Sequence, residues 1–274
     1  MSNDKGNTYI TLNNTQLESE EAEHLVPEDL IKGVLIERGQ YISYKLLTQR
    51  KEKEIIAERA MKYIENFQSV LLDAGSTVEL VAERMFREKE FLTVLTNNMG
   101  VYVQFFQGGR KNLTAQNNKL IISGGEYFEV FESLLGQGAR DSIEKFRPNV
   151  TIIGTSGIKS DEGIFCHGAE ESAIKLLMCQ RPTDTLLIVT DWTKIGKADA
   201  YAFRKIPELF ECAGKVIIVT NAPDRKYYGM SKADIAADKA LKNIVNMIKK
   251  FDKEKDLLIA QGIVFDDGTL SEEP

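Results

Sequence analysis

The residues best suited to binding chemistry lie in a turn, at positions 73–77, between a short apolar run and a helical pattern. Gly75 lets the backbone approach an anion closely because it carries no side chain. Ser76 and Thr77 offer hydroxyl groups, and the helix that follows adds the unpaired N–H groups of its N-terminus. The turn therefore predicts a phosphate-binding cradle that begins at Asp73. Simple capping of the helix by Ser76 or Thr77 accounts for the same residues.

The elements around this turn alternate between short apolar segments and amphipathic helical patterns along most of the chain. The predicted strands are 69–72, 91–95, 119–122, 150–153, 185–190, 215–220 and 261–265, and the predicted helices are 51–67, 77–88, 98–107, 138–146, 168–180, 205–212 and 231–253. Short, continuously apolar strands between helices are typical of a parallel sheet that is covered on both sides. The sequence therefore predicts an α/β, Rossmann-like fold with a mainly parallel sheet and helices on both faces.

Polar and glycine-rich loops follow five of these strands, at residues 73–77, 96–98, 123–126, 154–158 and 191–197. Because the carboxyl ends of parallel strands lie along one edge of a sheet, these loops could converge on one crevice. Lys194 is the best candidate for a cation that contacts a phosphate or a carboxylate. The competing interpretations are ordinary turns, which use the same residue types, and a solvent-exposed lysine.

Residues near the predicted helix 168–180 carry weaker signals. His167 could meet a ligand or simply flank the start of the helix. Glu170 and Glu171 suit the positive end of the helix dipole at least as well as acid–base catalysis. No base is paired with Cys166 at a recognisable spacing, so we expect a buried and inert thiol.

Composition excludes several classes of protein. A chain of 274 residues, 43% hydrophobic and 28% charged, is ordinary for a globular protein and long enough for one large α/β domain or two lobes. The formal charge of −6 argues against nucleic-acid binding by the whole chain. Three cysteines without C-x-x-C spacing predict no disulfide framework and no metal site, and a reducing cytoplasm. No run approaches the roughly 18 apolar residues of a membrane span, and we expect no cofactor.

Six motifs, taken in order, carry a family resemblance: RKEKEIIA (50–57), DAGST (73–77), LTNN (95–98), SGGE (123–126), GTSGI (154–158) and DWTKIGK (191–197). From about residue 41 to residue 221, the chain resembles the C-terminal sensor domain of DeoR-family transcriptional regulators. The resemblance implies a Rossmann-like domain related to ribose-5-phosphate isomerase, glucosamine-6-phosphate deaminase and the CoA-transferases. It also implies a phosphorylated sugar, or a similar small anionic metabolite, as ligand, and a homo-oligomer.

The same resemblance assigns roles by position. It implies that the phosphate or the neighbouring hydroxyls are contacted by Asp73, Gly75, Ser76 and Thr77. It implies that the pocket is lined by Asn97, Gly125, Glu126 and Gly157 and that Lys194 closes it.

Three regions are expected along the chain. Residues 1–40 form a variable lead-in with one short helix, 28–36, and show no helix-turn-helix pattern. Residues 41–225 form the sensor domain, and the lysine-rich helical extension 226–274 completes it. We therefore expect the chain to lack a winged helix-turn-helix of its own and to contact DNA only indirectly or weakly.

The main interpretation is a ligand-sensing regulatory protein rather than an enzyme. One alternative is a sugar-phosphate isomerase, although the Asp-Gly-Ala-Asp-Glu and Lys-Gly-Gly-Gly motifs of those enzymes are replaced at 154–158 and 166–169. Glu126, Asp161 or Glu171 could supply the carboxylate that such proton transfer needs. The other alternative is a DNA-binding repressor whose basic contacts are split between the N-terminal linker and the lysine-rich helix. The residues that suggest it are Arg50, Lys51, Lys53, Arg59, Lys249, Lys250, Lys253 and Lys255.

Overall fold

The computed structural model describes residues 45–111, 117–221 and 263–264. The lead-in, the predicted helix 231–253 and nearly all of the extension lie outside these residues. The described helices are α1 (Arg50–Ala60), α2 (Ser76–Glu88), α3 (Met99–Lys111), α4 (Gln137–Lys145) and α5 (Ala169–Cys179). The described strands are β1 (Ser69–Leu72), β2 (Thr93–Thr96), β3 (Lys119–Ile122), β4 (Glu126–Phe128), β5 (Ser133–Leu135), β6 (Val150–Gly154), β7 (Gly157–Lys159), β8 (Gly163–Cys166), β9 (Thr183–Val189), β10 (Tyr201–Arg204), β11 (Ala213–Val219) and β12 (Ile263–Val264).

Seven of these strands form one sheet, in the order β12-β11-β9-β6-β1-β2-β3. Every neighbouring pair in this sheet is parallel. The strand ends that carry the predicted loops therefore lie at one edge. Within the ranges given above, no helix is both long enough and apolar enough to cross a bilayer.

Alternate residues of the strands pack on opposite faces of the sheet. On β1, Val70 and Leu72 belong to one hydrophobic core and Leu71 belongs to the other, because successive side chains of a strand point to opposite sides. The first core is completed by Ile56, Ala57 and Ala60 of α1 with Val78, Val81 and Met85 of α2, and the second by Ala139 and Ile143 of α4 with Ile174 and Met178 of α5. Helices on both faces of a parallel sheet confirm the predicted fold class.

Some boundaries differ from the predictions for local backbone reasons. The first helix ends at Ala60 and continues only as a 3-10 turn, Met61–Tyr63, because Ile64 is extended. The second strand begins at Thr93 rather than at Phe91, which has a left-handed φ of 59°. The helical piece near 205–212 is a 3-10 helix, Pro207–Glu211.

Two small antiparallel sheets were not predicted. Their strands lie in the segments that follow β3, β6 and β9 along the chain. β7, β8 and β10 form one in the order β10-β8-β7, and β4 and β5 form the other. Strands of three or four residues are too short for an alternating pattern, and these five do not alternate one by one with predicted helices, which is how β1 and β3 were recognised. Through them, segments predicted to be loops gain backbone pairing, and β7 starts only three residues after β6 ends.

Candidate functional site

Buried polar residues follow the ends of five adjacent strands of the large sheet. They are Asp73 after β1, Asn97 after β2, Thr155 after β6, Asp191 after β9 and Asn221 after β11. Buried polar groups almost always need a hydrogen-bond partner. Within the described residues, the Asp73 Oδ1, Asn97 Oδ1 and Ser156 Oγ atoms have none. This edge of the sheet therefore holds buried polar atoms that can still accept hydrogen bonds.

Asp73 is held by a lysine from α5 that the sequence did not point to. Lys175, 2% exposed, forms a short ion pair with Asp73 Oδ2 and donates to the Gly154 carbonyl oxygen at 3.0 Å. The Gly154 N–H also donates to Asp73 Oδ2 at 3.0 Å. Glu171 Oε1 lies 3.3 Å from Lys175 Nζ. Burial alone would lower the pKa of Lys175, but the two carboxylates hold that pKa above its ordinary value.

The turn before α2 supports the phosphate-cradle interpretation over simple capping. Gly75 is the N-cap residue, with φ 130°, and no side chain caps the helix. Ser76 and Thr77 are buried in the first turn of the helix. Within the described part of the chain, no hydrogen bond is formed by the backbone N–H groups of Ser76, Thr77 and Val78. These groups can therefore donate to an anion.

Lys53 of α1 contacts this turn, although the sequence analysis had considered it for DNA contact. It is 2% exposed, and its Nζ atom donates to Ser76 Oγ at 3.0 Å. The same ammonium donates to the carbonyl oxygens of Thr48, at 2.7 Å, and Lys45. Burial lowers the pKa of Lys53 to about 7, and nearby Lys194 adds to this, whereas Asp191 opposes it.

The burial of Lys53 also weakens the idea of a DNA-binding surface on α1. Lys53 and Arg59 are 2% and 5% exposed, so neither side chain can reach a DNA phosphate. Arg50 is paired with Glu54 at 2.8 Å. The basic residues that suggested DNA contact in α1 are therefore largely used within the domain.

Lys194 is paired and partly buried rather than fully solvated. Its Nζ lies 3.0 Å from Asp191 Oδ2, and its side chain is 23% exposed. Thr193 donates to Asp191 Oδ1 through its N–H, at 3.2 Å, and through its hydroxyl. Burial of Asp191 would raise its pKa, but Lys194 and Thr193 outweigh burial and lower it. Asp191 is therefore an anion that Lys194 and Thr193 hold in place.

Gly157 packs directly against the loop that carries Lys194. A Cβ atom at this position would overlap the Lys197 carbonyl oxygen. The Gly196 N–H donates to the Ile158 carbonyl oxygen at 2.8 Å, and Ile158 also forms a bridge with Ile195. The structure thus places Gly157 beside the loop that carries Lys194. Lys53 donates to Ser76 and interacts with Lys194 and Asp191 of that loop through its charge.

The remaining residues assigned to the pocket lie on the other side of β1. The Asn97 amide donates to the Leu134 carbonyl oxygen at 3.2 Å. A Cβ atom on Gly125 would overlap the Leu135 carbonyl oxygen, so close packing against β5 explains this glycine. Glu126 is exposed on β4, and among the described residues it forms no hydrogen bond or ion pair with the 73–77 turn.

A second polar group lies next to Lys175 at the start of α5. His167 Nδ1 is 2.5 Å from Asp199 Oδ2, and the backbone N–H of His167 donates to Glu171 Oε2 at 3.3 Å. Burial lowers the pKa of His167, although Asp199 opposes the shift. Cys166 is buried, and burial raises the pKa of its thiol to about 12, which agrees with the expected inert thiol.

A surface groove of about 290 Å³ lies elsewhere, between α1 and α2, lined by Arg50, Glu54, Ala57, Leu80, Glu83, Arg84 and Arg87. Its charged side chains pair with one another or with Glu58 and Glu88. It contains none of the buried polar residues at the strand ends, so we place the candidate site at the sheet edge.

Two repressors resemble this chain over somewhat more than half of its length. The glycerol-3-phosphate regulon repressor of Escherichia coli is 29% identical over 150 residues, which cover 55% of this chain and 56% of that protein. The lactose phosphotransferase system repressor of Streptococcus mutans is 27% identical over 161 residues, covering 59% and 61%. The chain thus matches less than two thirds of the length of these relatives.

Among solved structures, the chain is similar to ribose 5-phosphate isomerase A from Methanocaldococcus jannaschii. It is 10% identical with a TM-score of 0.38, and the match covers 54% of this chain and 55% of that one. A likeness of this size carries no argument about function. The family described as the DeoR C terminal sensor domain matches residues 48–210. Since this match spans more than half of the chain, the chain belongs to the DeoR sensor-domain family.

Proposed function

We propose that this chain senses a phosphorylated sugar, or a similar small anionic metabolite, as the effector-binding part of a DeoR-type transcriptional regulator. One observation carries the proposal: the uncapped N-terminus of α2, at the carboxyl edge of a parallel sheet, has a buried lysine on its first hydroxyl. Helix N-termini attract anions through their N–H groups and their dipole. The name of the Escherichia coli relative, glycerol-3-phosphate regulon repressor, contains a small phosphorylated compound and supports a ligand of this class.

In this proposal, the phosphate lies against the N–H groups and hydroxyls of Ser76 and Thr77, where Gly75 leaves open space. Gly157, the first residue of β7, lines the pocket, and Lys194 closes it. Asp73 and Asn97 follow the two adjacent strands and have oxygen atoms that can accept hydrogen bonds from ligand hydroxyls. Gly125 and Glu126 remain at the outer side of the pocket.

A sensor must bind its ligand more tightly in one conformation than in another. A phosphate shared by the 73–77 turn and Lys194 would tie the ends of β1 and β9 together, although these strands are not neighbours. We propose that this bridge orders the 191–197 loop and changes a surface used for homo-oligomer formation in the cytoplasm. DNA would then be contacted only indirectly or weakly by the residues described.

Isomerase activity is the alternative that one observation favours. Lys175 and Glu171 lie beside Asp73, so a buried acid–base group is present at the same edge. Of the carboxylates proposed from the sequence, Glu126 and Asp161 are exposed, and Glu171 is paired with Lys175. A carboxylate that is already bonded to a lysine is less free to contact a substrate proton, so we favour binding without turnover.

A ligand screen tests the proposal. The purified chain is heated with phosphorylated sugars and polyols, with the unphosphorylated forms, CoA and NAD as controls. A ligand present at 100 times its dissociation constant should stabilise the fold by about 2.7 kcal/mol, and only phosphorylated compounds should do so. Any stabilising compound is then incubated with the protein and followed for isomerisation. If no phosphorylated compound stabilises the fold, the proposal is overturned. If a stabilising compound is isomerised, the isomerase alternative is favoured.

A further inference from the structure

We propose that Lys53 binds the ligand's phosphate and thereby couples occupancy of the site to the main chain of residues 45–48, which leads into α1. This inference rests on the proposed function, because it assumes an anion at the 73–77 turn. Its basis is the set of three acceptors around the Lys53 ammonium group. Two of them are carbonyl oxygens of the leading segment and the third is Ser76 Oγ, at the proposed phosphate site.

The environment of Lys53 lacks the counter-ion that a buried lysine normally needs. Among the described residues, no carboxylate lies within ion-pair distance of Lys53 Nζ. The charged groups that act on it from around the site are Lys194 and Asp191 from the 191–197 loop, and Lys45 and Glu52 from its own segment. Burying a charged group without a counter-ion costs free energy. An anion bound at Ser76 would therefore be attracted strongly to this ammonium group.

Binding of the anion should also change the proton occupancy of Lys53. Because burial lowers the pKa of Lys53 to about 7, the side chain is mostly neutral at about pH 8.5 without ligand. A phosphate dianion favours the charged form and raises this pKa. Binding at about pH 8.5 should therefore take up close to one proton per phosphate, and binding at about pH 6 should take up almost none at Lys53.

The link to residues 45–48 follows from the limited number of donors. An ammonium group has three N–H donors, and all three are directed to the acceptors found here. A phosphate oxygen must compete with the Lys45 and Thr48 carbonyl oxygens or with Ser76. The hydrogen bonds that hold the leading segment therefore change when the phosphate binds.

The test uses the full chain with inorganic phosphate as the probe, at about pH 8.5, where phosphate is mainly a dianion. Calorimetric titration in two buffers of different ionisation enthalpy counts the protons taken up. Hydrogen exchange with and without phosphate reports on the amides of residues 45–53. We expect uptake of nearly one proton and altered exchange in this segment for the wild type. Lys53→Met should lose at least tenfold in phosphate affinity and lose both effects, whereas the exposed neighbour Lys51→Met should keep them.

The outcomes separate this inference from the proposed function. If the wild type binds neither inorganic phosphate nor any phosphorylated compound of the screen, both fail. If a phosphorylated compound stabilises the fold but inorganic phosphate does not bind, the inference alone is wrong. If the wild type binds phosphate without proton uptake, or without a change in exchange at residues 45–53, the inference alone is wrong. An unchanged affinity in a folded Lys53→Met variant has the same meaning. Should Lys53→Met fail to fold, the wild-type proton count and exchange data still decide.

Discussion

Two buried lysines at the same edge of the sheet differ in their partners, and this difference separates a structural group from a binding group. Lys53 and Lys175 are both 2% exposed. Lys175 lies against the carboxylates of Asp73 and Glu171, which hold its pKa above the ordinary value. Lys53 is bonded to two carbonyl oxygens and one hydroxyl, and its pKa is lowered to about 7. Lys175 is held by two carboxylates and stabilises the fold. Lys53, which has no carboxylate within ion-pair distance among the described residues, is the lysine that we propose binds an anion.

The largest expected effect is on the paired lysine. Lys175→Met leaves the Asp73 carboxylate buried without its cation, and removing one partner of a buried pair typically costs about 3–5 kcal/mol of unfolding free energy. Urea denaturation measures this loss. The same substitution at Lys53, an equally buried position, is the matched control and should be nearly neutral or stabilising at about pH 6. Equal losses in the two variants would remove the distinction between the lysines.

The second prediction concerns stability against pH. The pKa of Lys53 is about 7 in the folded chain and near 10.4 when unfolded, so the unfolded state binds more protons between these values. Stability contributed through Lys53 therefore rises with pH across this window, by at most about 1.4 kcal/mol per pH unit. Denaturation of the wild type and of Lys53→Met at about pH 7, 8 and 9 isolates this slope. A difference between them that does not vary with pH would contradict the shifted pKa.

The third prediction concerns Lys194, which lies between the two cases because it is paired with Asp191 and partly exposed. Lys194→Ala should weaken phosphosugar binding by more than tenfold, or at least about 1.4 kcal/mol, while leaving the fold intact. Lys197→Ala, an exposed position in the same loop, should bind as the wild type does. Titration calorimetry with a phosphorylated compound from the screen measures both. An affinity unchanged by Lys194→Ala would dismiss its role in closing the pocket.

The two lysines also show how far the sequence could predict this site. Short apolar strands between helices revealed the parallel sheet, and parallel strands placed Asp73, Asn97 and Asp191 at one edge. Contacts between residues distant in sequence were not predictable, because Lys175 meets Asp73 across 102 positions and Lys53 meets Ser76 across 23. No local pattern encodes such a pairing.

A usable signal was nevertheless present in the helices. Lys53 lies three, four and seven positions before the buried Ile56, Ala57 and Ala60, so it falls on the apolar stripe of α1. Lys175 lies beside Ile174 and four positions before Cys179 on the buried face of α5. A charged residue within a buried helical stripe indicates a buried partner or a bound ligand. The sequence analysis had instead considered Lys53 only as one of several basic residues that could contact DNA.

The smallest expected effect is the difference between two pH values in the stability lost when a single hydroxyl group is removed. Ser76→Ala removes one of the three acceptors of the Lys53 ammonium group. A hydrogen bond to a charged group contributes up to about 3 kcal/mol to the free energy of unfolding, which sets the upper limit of the loss. Because the hydroxyl favours the charged lysine, the stability lost should be larger at about pH 6 than at about pH 9, where Lys53 is mostly neutral. Denaturation at both pH values measures the change, and Thr77→Ala, which forms no hydrogen bond with Lys53, serves as the control. Equal losses at the two pH values would mean that Ser76 stabilises α2 without sensing the charge of Lys53, and the coupling proposed for that lysine would lose its contact with the phosphate turn.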